Sequence, residues 1–147
     1  MKTRYFIPLC AAILLGFLVG KIITNNKDNS ISVFYEGESI YFISTGVYDE
    51  KEEHHFEGSI YQLEDDGFHE YIGITKSKEI AERIKEYYRK LGNNCSVSEK
   101  RIANKEYINV LNEYDKVLLI ANEQDLINIE KIVLANYEEM VLQSYEN

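Results

Sequence analysis

The stretch "YIGITKSKEIAERIKEYYRKLG" (residues 71–92) decides the class of fold. Tyr71 to Thr75 are aromatic, β-branched or glycine, the composition of a strand. Ser77 then reads as a helix N-cap, with Glu79 in the first turn. Ile80, Ala81, Ile84, Tyr87, Tyr88 and Leu91 recur on one helical face, and Gly92 is the C′ stop. Glu82, Lys85, Glu86 and Arg89 fall on the outer side, as a solvated face requires.

Similar units lie on both sides. "IYFISTGVY" (40–48) is rich in aromatic and β-branched residues and predicts a strand. "DEKEEHHF" (49–56) predicts a short helix with Asp49 as N-cap and acids in its first turn. "IYQLEDDGFHEYIGI" (60–74) predicts a hairpin turning at Asp66-Gly67, and "NCSVSEK" (94–100) a fourth strand. The order strand, helix, strand, strand, helix, strand predicts an α+β fold. It is an RNP-like split βαβ sandwich: a four-stranded antiparallel sheet with two helices on one face. Beyond it, Tyr107, Val110, Leu111 and Tyr114 make one apolar stripe. Leu126, Ile129, Val133, Tyr137, Met140 and Val141 make another, with Asn104 and Asn122 as the two helix starts. These apolar faces must be buried: against the sheet, against a protein partner, or against a second copy.

The N-terminus reads differently. Residues 5–20, "YFIPLCAAILLGFLVG", carry no charge, and with "KIIT" they reach 20 residues. As a helix that length is about 30 Å, the thickness of a hydrocarbon core. No small-x-small cleavage site follows, so residues 5–24 are expected to anchor the chain in a lipid bilayer. Lys2 and Arg4 favour a cytoplasmic N-terminus, which places the rest outside the cytoplasm. The expected organisation is anchor (1–24), polar linker (25–39), sheet module (40–103) and helical extension (104–147). All 25 acidic residues follow Thr24, against 13 of the 16 basic ones, so that part carries a net charge of 13 − 25 = −12. Such a surface excludes nucleic acid as a partner.

"YFISTGVYDEKEE" (41–53) and "EYIGITKSKEIAE" (70–82) are weakly similar halves, each with a glycine near a strand end and an acidic helix start. Tyr41, Ile43, Gly46 and Tyr48 in the first, and Tyr71, Gly73, Ser77, Ala81, Leu91 and Gly92 in the second, resemble the SPOR (sporulation-related repeat) domain over residues 40–102. Ser44 departs from that pattern, where glutamine is favoured, as does His54, where a small apolar residue is. The resemblance implies a non-catalytic module that binds peptidoglycan glycan strands on its open sheet face, in cell division or sporulation.

Strand alternation divides the central strands in two. Ile43, Thr45, Val47, Phe68, Ile72 and Ile74 form an aliphatic set suited to packing against helices. Phe42, Ser44, Gly46, Tyr48, His69, Tyr71 and Gly73 form the opposite, ring-bearing set. The expected glycan-binding residues are therefore Phe42, Ser44, Tyr48, His69 and Tyr71, through stacking and hydrogen bonds. No nucleophile elbow, phosphate loop or cysteine–histidine spacing is present, so no catalytic residue and no cofactor is expected. Glu50, His54 and Glu57 share a helical face without a fourth ligand and read as a solvated helix, so no metal is expected there.

Overall fold

The computed structural model describes residues 37–51 and 56–145. The anchor read over residues 5–24 lies outside them; of the short helix read over 49–56, residues 52–55 also lie outside, and 49–51 and 56 are not helical. Among the described residues no helix is long and apolar enough to cross a membrane.

Strands β1 (Glu38–Tyr48), β2 (Ile60–Glu64) and β3 (Gly67–Thr75) precede helix α1 (Lys78–Lys90). Strand β4 (Ser96–Ile102) and helices α2 (Lys105–Ile120) and α3 (Glu123–Tyr145) follow. The architecture is α+β: a four-stranded antiparallel sheet in the order β2-β3-β1-β4, with three helices. The hairpin turns on Asp65-Asp66, one residue earlier than expected, because Gly67 already pairs with Glu64. Gly67 adopts a φ of +134°, and a Cβ there would stand 2.8 Å from the Tyr48 carbonyl oxygen.

Helix α1 is built as its sequence dictates. The Ser77 hydroxyl accepts the Ile80 amide, and the C-terminus closes in a Schellman pair. In that pair the Gly92 amide donates to the Arg89 carbonyl and the Asn93 amide to that of Tyr88. Leu91 departs from its expected place: as the C-cap it lies past the last helical turn, and it is 61% exposed.

Two register shifts in the central pairing reassign the sheet faces. The β1–β3 register runs evenly from Tyr41↔Thr75 to Ile43↔Gly73, then pairs Ser44 with Tyr71 and Gly46 with Glu70. Ile72 on one strand and Thr45 on the other are thus extra residues, bulges in opposite strands that cancel. Between and beyond them the alternation changes phase. Phe42, Ser44, Tyr71 and His69 share the front face as expected. Ile74 joins them, because it pairs with Phe42, and so does Val47, because it pairs with His69. Gly73 moves to the back face with Ile43, and Gly46 and Tyr48 move there with Glu70 and Phe68.

Both faces are covered. On the back, Ile80, Ala81, Ile84 and Tyr88 of α1 are buried, and Ile84 reaches the space above Gly73. On the front, the Tyr137 ring of α3 meets Phe42 edge-on at 5.5 Å and Tyr107 of α2 at 5.6 Å. The buried residues of β1, β3 and all three helices form one hydrophobic cluster, so residues 40–103 and 104–147 share a core. Each fully buried large side chain in it contributes about 1.5–3 kcal/mol of transfer free energy.

Candidate functional site

The front face has a floor and a mouth. Phe42 and Tyr71 form the floor, their ring centroids 4.9 Å apart, and both are buried beneath the helices. Ser44 is also buried there, and its hydroxyl is held within its own strand. It accepts the Gly46 amide and donates to the Gly46 carbonyl, each at 3.2 Å, fastening the bulge at Thr45. Neither ring can stack on an external sugar while α2 and α3 stay in place. Tyr48 stands apart from this group, on the back face, with its ring 6.1 Å from that of Tyr61. Alternation alone had placed it in front; the extra residue at Thr45 turns it over.

His69 lies at the mouth, where the front face meets the β2–β3 turn. Its ring stacks on Tyr71 at 5.8 Å and an interplanar angle of 21°. Nε2 of His69 is 2.7 Å from Oδ1 of Asp66 and 3.9 Å from Oε2 of Glu64. The second oxygen of Glu64 receives the Tyr71 hydroxyl and the Lys100 ammonium. Lys100 projects from β4 over both floor rings, 5.0 Å from the centroid of Phe42 and 4.9 Å from that of Tyr71. Four strands thus converge on one partly open cluster: Phe42, Glu64, Asp66, His69, Tyr71 and Lys100.

The protonation states follow from these contacts. Burial raises the Tyr71 phenol well above its usual range, and the adjoining Glu64 carboxylate raises it further. Burial works against ionisation of Glu64, but Lys100 and Tyr71 outweigh it and hold the carboxyl below its usual range. The hydrogen bond from His69 lowers Asp66. The site offers an anion held ready, an ammonium, an imidazole and a phenol that stays protonated. These groups are hydrogen-bond donors and acceptors of the kind that can hold a polar ligand; among the described residues the cluster contains no nucleophile beside a free base.

Of the five residues read from the sequence, the structure brings Phe42, Ser44, His69 and Tyr71 to one face and excludes Tyr48. Sequence reasoning missed Glu64, Asp66 and Lys100 as site residues. Glu64 belongs to an acidic turn whose charge is unremarkable by composition. Lys100 is recognisable only once β4 is in register, opposite Ile40.

A second surface faces away from the sheet. A groove of about 470 Å³ runs between α1 and the start of α3, lined by Glu79, Glu82, Glu86 and Glu123, with Arg83 and Lys90. Lys90 is tied to Glu123 at 2.8 Å. At the α2–α3 turn beside it, Leu119 and Ile120 are 48% and 78% exposed. Cys95 is a free thiol, half-buried, with its pKa raised by burial.

No protein-family model, curated protein or solved structure matches this chain. The resemblance to the SPOR domain therefore stands on the residues quoted for it.

Proposed function

We propose that this chain is a membrane-tethered, extracytoplasmic interaction protein that performs no turnover. In this reading residues 5–24 anchor it and an RNP-like, SPOR-related sheet serves as scaffold. The burial of Phe42 and Tyr71 under α2 and α3 carries the proposal. A sheet whose ring-bearing face is occupied by its own helices leaves recognition to its outer surface. That surface is acidic, and its groove at Glu79, Glu82, Glu86 and Glu123 suits a basic segment of a partner protein. The exposed Leu119 and Ile120 supply an apolar contact next to it.

A second reading is favoured by the mouth cluster. His69 and Lys100 lie over the Tyr71 ring and Glu64 accepts its hydroxyl, and such a set suits hydrogen bonding to a glycan end at the rim of the sheet. One experiment separates the two. The full chain, held in nanodiscs, is sedimented with purified peptidoglycan and cross-linked in cells from a photoreactive residue at position 82. The interaction reading expects a basic partner cross-linked at that position and lost on reversing Glu79, Glu82 and Glu86 to lysine. Sedimentation with peptidoglycan that His69→Ala abolishes, without any such partner, would replace it with the glycan reading.

A further inference from the structure

We propose that Glu64, Asp66 and His69 form a binding site for one divalent cation of the zinc class. One donor atom from each residue lies within 4.8 Å of the other two. The three come from the end of β2, the turn and β3, so the hairpin itself closes the site. Donors in a tetrahedral shell with bonds of about 2.0–2.1 Å lie roughly 3.3 Å apart. The present separations of 2.7 Å (His69–Asp66) and 3.9 Å (His69–Glu64) bracket that value. Asp66, 68% exposed at its side chain, is free to make the larger share of the adjustment.

Two ligands are already oriented by their neighbours. The Tyr71 hydroxyl and Lys100 hold Oε1 of Glu64, which leaves Oε2 towards His69. Stacking on the buried Tyr71 ring fixes the plane of the imidazole. Outer contacts of this kind set ligand direction and are a regular part of metal sites. Lys100 offsets one carboxylate charge, but Asp65 and Asp66 remain, and the cation approaches a chain of net charge −9. One imidazole with two carboxylates suits zinc and its neighbours better than calcium or magnesium, which prefer oxygen alone. On binding, Nε2 of His69 gives its lone pair to the cation and the ring proton resides on Nδ1. Asp66 exchanges its hydrogen bond for a metal bond. The remaining position faces solvent and takes water. The inference does not rest on the interaction reading.

The test is calorimetric titration of the full chain with zinc chloride, in a His54→Ala/His55→Ala background so that those imidazoles do not compete. Binding of one cation per chain is expected. His69→Ala and Asp66→Asn should each weaken it by at least about tenfold, the scale on which even outer-shell partners matter. Asp66 lies on an exposed turn, so Asp66→Asn reads the site without disturbing the fold. A zinc-induced shift of the His69 Nε2 nitrogen resonance is expected in parallel. Absence of saturable binding, or binding that both variants retain at full affinity, overturns the proposal.

Discussion

Glu130 is wholly buried on α3, where its Oε2 accepts the Ile74 amide at 3.0 Å. Its Oε1 and the buried Tyr107 hydroxyl have no hydrogen-bond partner among the described residues. Burial pushes the Glu130 carboxyl up to about 8; the Ile74 amide pulls against this, and Asp115 adds to it. The sign of the linkage follows. The unfolded chain releases this proton near the ordinary value of 4.5, and the folded chain keeps it until about 8. Glu130 therefore withdraws stability as pH rises through that window, by a few kcal/mol. Glu130→Gln keeps an acceptor for Ile74. In urea unfolding it should be more stable than the parent near pH 8 and close to it near about pH 5. Equal destabilisation at both values would contradict this account. A second residue test concerns Phe42, whose ring lies between Tyr71 and Tyr137. Phe42→Ala should cost about 3–5 kcal/mol, measured by denaturant unfolding. That Phe42 and Tyr71 share a face was legible in the aromatic and polar character of their strand positions, although the extra residue Ile72 is what brings Tyr71 there. The reversal of Tyr48 was not, because it depends on a bulge held by the Ser44 hydroxyl and by Thr45 donating to Glu70 across the sheet.

Among the elements, α1 and the α2–α3 turn are joined by Arg83. Its guanidinium donates to the carbonyls of Leu118 (2.9 Å), Leu119 (3.4 Å) and Ala121 (2.7 Å) where α2 ends, the first of which also accepts the Ala121 amide. Arg83→Met keeps much of the stem and removes these donors; it should lower stability by about 1–3 kcal/mol. Arg89→Met removes only an exposed pair with Glu86, and should change stability far less than Arg83→Met does. Thermal or denaturant unfolding of both variants checks the contrast, and equal effects would discount the Arg83 bridge. Helix starts were readable from the chain: Ser77, Asn104 and Asn122 all accept first-turn amides. The role of Arg83 was not, since its acceptors lie 35 to 38 residues away. Glu130 sits four residues after Leu126 and three before Val133, inside an apolar stripe, so a polar break in that row was visible. Its partner on β3 was not.

On the scale of the molecule, amphipathic stripes in residues 104–147 announced that something had to be buried but not against what. The sheet and α1 together supply the answer: Tyr107, Leu111, Leu118, Leu126, Val133 and Tyr137 are buried in the same cluster as Phe42, Ile74 and Ile84. Asp115 strengthens the join by accepting the Thr75 hydroxyl at 2.8 Å and the Lys76 amide at 3.0 Å. A chain ending at residue 103 would expose that face. It should lose cooperative unfolding and protease resistance, both measurable against the full chain; a stable, resistant core would show that the sheet module folds alone. The cancelling bulges carry a consequence for how such a molecule tolerates shortening. Excising Thr45 or Ile72 singly shears one half of the central ladder past the other. Excising both together leaves the two halves in phase, so these deletions should rescue one another.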